Sequence, residues 1–257
     1  MASNNPIISR MAATAHQDEI AALQAQYDSP ARANLADRMS IDDVVMKTAS
    51  MFAVLLVAAA WTWMNPNPML VMVGAFAGLG LALVNSFKRN ASPVLCLAYA
   101  ACEGLVLGGV SRYYEIAYQG IVGKAVLGTL VTFGVLLALY STKVIRVTAK
   151  GMKVFVIAMV SYAVVGLVSW VATMFNPSLG GGYGFFGTKL GLLLCIVGVA
   201  LAAYSLVVDF EAVQQAIVYG APRREAWRAA FGITVSLVWL YLELLRLLAI
   251  VARMTRD

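Results

Sequence analysis

Four charged residues stand inside otherwise apolar stretches of this chain: Glu103, Asp209, Glu243 and Arg246. A charge at the centre of a membrane helix costs roughly 2.5–3.5 kcal/mol on insertion scales, so such residues face a bundle interior or a watery cavity and pair with one another. Two chemistries are open to them. One is a static polar clamp between helices; the other is the handling of protons or cations. Two carboxylates in contact cannot both ionise cheaply, so one keeps a proton, and the pair is a pH switch made without histidine. Protonated, it closes a hydrogen bond between helices; ionised, it repels, opens or takes up a cation. Calcium normally takes six to eight oxygens. Two or three carboxylates with water hold it weakly, which suits passage better than storage.

Other chemistries lack their residues. The single histidine, His16, lies in the polar N-terminal stretch, which removes HExxH metal chemistry and histidine-dependent hydrolysis. Gly180-Gly181-Gly182-Tyr183-Gly184 has neither the Lys-Ser/Thr ending nor the preceding strand of a phosphate-binding loop, and reads as a hairpin. The last apolar stretch carries no lysine for a retinal Schiff base. Cys96, Cys102 and Cys195 have no zinc spacing and read as packing residues. Neither an enzyme nor a resident cofactor is expected.

The elements that position these charges are membrane helices. The chain has 257 residues, 61% hydrophobic and 12% charged, against about 25% charged for a soluble domain. That surplus of apolar residues is too large for one soluble core, which leaves an all-α, polytopic membrane protein. Apolar stretches near 46–64, 69–87, 93–114, 123–141, 153–175, 187–209 and 230–252 can each cross about 30 Å at 1.5 Å per residue. Asn65-Pro66-Asn67-Pro68, Pro93 and Asn176-Pro177 punctuate them. Phe210 to Tyr219 can prolong the sixth helix beyond the membrane. Residues 1–45 form a polar, cytosolic tail and 46–253 the bundle. Ser40 followed by Asp42 and Asp43 resembles an N-cap with an acidic first turn.

Loop cations set the orientation. Lys88, Arg89, Lys143, Arg146, Lys150, Lys153, Arg223, Arg224 and Arg228 fall in loops on the side of the N-terminus, and only Arg112, Lys124 and Lys189 in the opposite ones. The positive-inside bias gives a cytosolic N-terminus and an external C-terminus. The pI near 9.3 is therefore a topology signal, and no nucleic-acid partner is expected. Counting residues along the spans puts Glu103 and Glu243 near mid-membrane and Asp209 near the inner end. Counting alone thus favours a Glu103–Glu243–Arg246 cluster with Asp209 at its inner entrance.

The charges lie in recognisable segments. Glu103-Gly104-Leu105-Val106-Leu107-Gly108 with Ser111, Asp209-Phe210-Glu211, and Trp239-Leu240-Tyr241-Leu242-Glu243-Leu244-Leu245-Arg246 resemble the Bax inhibitor-1-like (transmembrane Bax inhibitor motif) family, in its bacterial branch. The resemblance covers about residues 40 to 253. It implies a seven-transmembrane-helix bundle with helix seven central, in a bacterial inner (plasma) membrane. It also implies a pH-sensitive calcium leak governed by an acid pair on helices six and seven. Asp209 matches the first acid. Glu243 matches the second, as Glu in place of Asp, and the two would share a transient calcium. Glu103 and Arg246 are then supporting charges. Arg89, or less well Lys88, stands where some relatives latch the helix-six acid, and Arg89 is preferred for its bidentate fork. The alternative reading is a non-transporting interaction protein that regulates another membrane protein or a membrane-bound protease through the tail. A proton-coupled solute transporter ranks last, because no inverted repeat is visible.

Overall fold

The computed structural model describes residues 37–88, 91–176, 178–179, 184–188 and 191–255, with Gln17, Ile20 and Gln24 of the tail. Seven helices among these residues are long and apolar enough to cross a membrane. They are α1 (Ile41–Met64), α2 (Pro68–Phe87), α3 (Pro93–Ala117), α4 (Ile121–Ser141), α5 (Ala149–Phe175), α6 (Gly191–Val218) and α7 (Ala226–Met254). Short 3₁₀ turns, Gly184–Gly187 and Arg223–Glu225, precede α6 and α7.

Local chemistry sets the helix ends. Ser40 caps α1 in a reciprocal capping box with Asp43, as the acidic first turn suggested. Asn67 caps α2, and Pro68 and Pro93 open α2 and α3, where a missing N–H is harmless. Because α1 begins at Ile41, the tail–bundle boundary expected at residue 45 falls inside a helix. Helix six starts at Gly191, later than the expected 187, because Gly184–Gly187 winds as a separate 3₁₀ turn. At its other end α6 runs on to Val218, so Phe210 and its successors do prolong it.

The most amphipathic helix is α7, and it carries the largest share of the buried core. It packs against α1, α3, α4 and α6, and Tyr162 of α5 reaches it by a hydrogen bond. Helix α2 packs on α3 at the periphery. Large apolar side chains such as Phe76, Leu127, Ile157 and Trp170 point outward, the pattern of a bundle solvated by lipid. Helices α1 and α3 come into backbone contact at two small-residue rungs: a Cβ on Gly104 or on Gly108 would run into the carbonyl oxygen of Leu55 or Ala59.

Residues 37–39 are docked as well. Arg38 forms an isolated antiparallel bridge with Pro222, Arg223 N donates to Asp37 O at 2.7 Å, and Met39 is buried. Arg223 also pairs with Asp43 at 2.7 Å, and Lys47 donates to the Arg223 carbonyl at 2.6 Å. The start of α1 is thereby tied to the α6–α7 connection.

Candidate functional site

Three of the four intramembrane charges, Asp209, Glu243 and Arg246, lie on or beside the seam between α6 and α7, which run antiparallel. Ser205 meets Ser236 at its middle, with their hydroxyls hydrogen-bonded. On one side of this rung, Gly198 of α6 faces Glu243 of α7; on the other, Gly232 of α7 faces Asp209 of α6. Each acid therefore has a glycine opposite it. A Cβ at Gly198 would lie 2.7 Å from Glu243 Oε2, and one at Gly232 would lie 2.9 Å from Asp209 Oδ1. Any side chain at either position would occupy the space that the carboxylate fills.

Glu243 is 2% exposed and fully partnered. The Tyr162 hydroxyl donates to its Oε2 at 2.8 Å and Trp239 Nε1 to its Oε1 at 3.2 Å. Arg246 Nη1 donates to both oxygens, at 3.1 and 3.2 Å. A buried carboxylate needs this much: one counter-charge and several donors offset its desolvation. The Arg246 guanidinium lies over the Phe186 ring, 4.7 Å from its centroid. Phe186 comes from the 3₁₀ turn before α6, and Arg253 holds that turn by donating to the Gly187 carbonyl. Helices α5, α6 and α7 and the turn thus converge on one acid.

Asp209 has a sparser setting. Ser236 donates to its Oδ2, and Ser236 in turn meets Ser205. Phe210, the next residue, is buried against Phe133 and Tyr140 of α4 and turns that face of the helix into the core.

The expected acid pair is not in contact. Asp209 bonds at Ser236, and Glu243 lies two helical turns further along α7, about 10 Å by helix rise. The antiparallel register is the reason: it places each acid against a glycine of the other helix instead of against the other acid. The cluster favoured by counting along the spans is divided too. Arg246 does join Glu243, but Glu103 does not. Parallel α3 and α7 match Tyr99 to Phe231 and Ser111 to Tyr241, so Glu103 stands more than two turns short of Glu243. Glu103 lies between α2 and α3 instead, hydrogen-bonded to Tyr99 and with its carboxyl beside Gly78. Counting residues within each span ignores how far neighbouring helices slide past each other, and that error misplaced Glu103.

The latch residues divide as well. Lys88 is exposed, and its main-chain carbonyl accepts from Arg228 Nη2 at 3.0 Å. Arg89 lies outside the described residues, as do His16 and Gly180 to Tyr183. Among the described residues no three His, Cys, Asp or Glu side chains gather around a metal position. The three cysteines are free, Cys96 and Cys195 among them buried.

Several residues of the site carried no mark in the sequence. Tyr162, Phe186 and Gly198 come from other elements, and apolar surroundings hide them. Trp239 and Ser236 had a weak signal, one and two turns before Glu243 on the same helical face.

A search among curated proteins gives no match. The family model described as Bax inhibitor 1 like matches residues 5–253, which include all seven helices but for Met254, and every acid discussed above. On that match, and on seven helices fit to span a membrane, the chain belongs to the Bax inhibitor 1 like family of multi-pass membrane proteins.

Proposed function

We propose that this protein is a pH-sensitive leak for cations, calcium foremost, whose path follows the α6–α7 seam and whose gate is Glu243. One observation carries the reading: the seam holds two intramembrane carboxylates, Asp209 and Glu243, with the Ser205–Ser236 hydroxyls between them. The acids then act in series. Asp209 receives the ion, the hydroxyls supply oxygens on the way, and Glu243 passes it on once it lets go of Arg246. In the conformation described, the Ser205–Ser236 and Asp209–Ser236 hydrogen bonds join α6 to α7, and Glu243 is engaged by Arg246 and Tyr162. Protons and cations compete for the carboxylate oxygens along the seam, which makes the flux pH-dependent. The reading includes a bacterial inner-membrane location with the N-terminus cytosolic, in line with the cations at that end.

The test is calcium flux into liposomes holding the purified protein, across a pH series. Wild type should show pH-dependent flux, and Asp209→Asn and Glu243→Gln should lose that dependence. Equal, pH-blind flux in all three would overturn the gate. Absence of any flux would overturn the channel in favour of a non-transporting regulator of another membrane protein or a membrane-bound protease. For that second reading the docked segment 37–39 is the relevant feature, because it ties the tail to the connection that leads into the helix carrying Glu243.

A further inference from the structure

A second cluster lies away from the seam, where α1 and α3 finish. The α1–α3 contact repeats every four residues: Gly104 meets Leu55, Gly108 meets Ala59, and the next rung brings Arg112 over the Trp63 ring at 5.8 Å. The first two rungs are closed by glycine. The third opens into a cavity of about 510 Å³ lined by Trp63, Arg112, Glu115, Ile116 and Gln119.

The charges in this cavity are not spent on each other. Arg112 Nε is buried and has no hydrogen-bond partner, and no carboxylate among the described residues pairs with Arg112. Glu115, one turn on, is the nearest acid in sequence. It caps α4 instead: its Oε1 accepts from Gly120 N at 2.6 Å and its Oε2 from Val122 N at 3.1 Å. Each oxygen retains a free lone pair. The cavity thus presents an unpaired guanidinium beside a carboxylate that can accept once more. Its rim has an apolar side suited to a bilayer border: Ile116 lines it and is exposed, and Met64 and Tyr113, the chain neighbours of Trp63 and Arg112, are exposed as well.

We propose that this cavity binds the headgroup of a phosphoethanolamine lipid. The phosphodiester pairs with the Arg112 guanidinium, whose planar fork suits phosphate oxygens. The primary ammonium donates to Glu115, and the glycerol and upper acyl carbons lie on Trp63 and Ile116. A free phosphate would satisfy Arg112 alone; the lipid also uses the remaining lone pairs of Glu115 and the apolar Ile116 beside it. The site is independent of any ion path along α6–α7.

Native mass spectrometry of the full-length protein, delipidated in detergent and titrated with phosphatidylethanolamine, phosphatidylcholine or inorganic phosphate, tests it. Wild type should retain phosphatidylethanolamine in preference to phosphatidylcholine, whose quaternary amine has no N–H to donate. Arg112→Gln should weaken phosphatidylethanolamine binding roughly tenfold, the worth of one charged hydrogen-bonded contact. Glu115→Gln, which keeps an oxygen for the α4 amides, should erase the preference between the two lipids while leaving phosphate recognition intact. It serves as the test should Arg112→Gln fail to fold, as judged by melting in lipid-free detergent. Three results would overturn the proposal: undiminished binding by folded Arg112→Gln, a lipid preference unchanged in Glu115→Gln, or inorganic phosphate displacing the lipid at equal concentration.

Discussion

Glu243 is seated on Gly198: the α7 carboxylate fills the space that a side chain on α6 would otherwise take, with its Oε2 only 2.7 Å from where a Cβ would be. The mirrored arrangement of Asp209 on Gly232 makes the seam a matched surface in which each helix yields a glycine to the other's acid. Both helices can therefore approach closely without expelling the polar groups between them.

Gly198→Ala should force Glu243 and Tyr162 apart and destabilise the bundle by about 1–3 kcal/mol, the usual cost of overpacking. Gly80→Ala is the control, since a Cβ there meets nothing within 4 Å. Thermal melting in detergent should separate the two, with Gly80→Ala no less stable than wild type.

Arg246→Ala should leave a buried carboxylate without its counter-charge. Breaking a buried pair from one side costs about 3–5 kcal/mol. The low end applies here, because the Arg246 side chain keeps 32% of its surface exposed. Arg246→Ala combined with Glu243→Gln should be more stable than Arg246→Ala alone, and a double-mutant cycle by chemical denaturation reads the coupling directly.

The seam must part if ions follow it. Ser205 and Ser236 touch through their hydroxyls, so Ser205→Cys with Ser236→Cys, in a background lacking Cys96, Cys102 and Cys195, should form a disulfide under oxidation. Calcium flux should stop in the oxidised protein and return on reduction. Unchanged flux in the cross-linked protein would place the path elsewhere.

The Asp43–Arg223 pair ties α1 to the α6–α7 connection, but Arg223 is 63% exposed. Exposed pairs contribute about 0–1 kcal/mol. Arg223→Glu should therefore lower the melting temperature only slightly, and adding Asp43→Arg should recover part of the loss. A large loss would mean that the docked segment 37–39 depends on this pair.

By itself the sequence determined the class, the spans and which residues to suspect. Hydropathy over twenty-residue stretches, proline and asparagine at the turns, and Ser40 ahead of two acids are local signals, and local energetics decide helices in a bilayer. The rarity of charge marked Glu103, Asp209, Glu243 and Arg246, because each is costly to insert unless it has a partner. The identity of the partners was decided only by the tertiary structure. Pairing depends on the slide and rotation of one helix against another, which small residues such as Gly198, Gly232, Gly104 and Gly108 set through backbone contact. That slide carries Glu103 to Tyr99 and Gly78, holds Asp209 at Ser236, and brings Tyr162, Trp239 and Arg246 to Glu243. A displacement of one or two turns costs the hydropathy pattern nothing, yet it changes every polar contact in the interior.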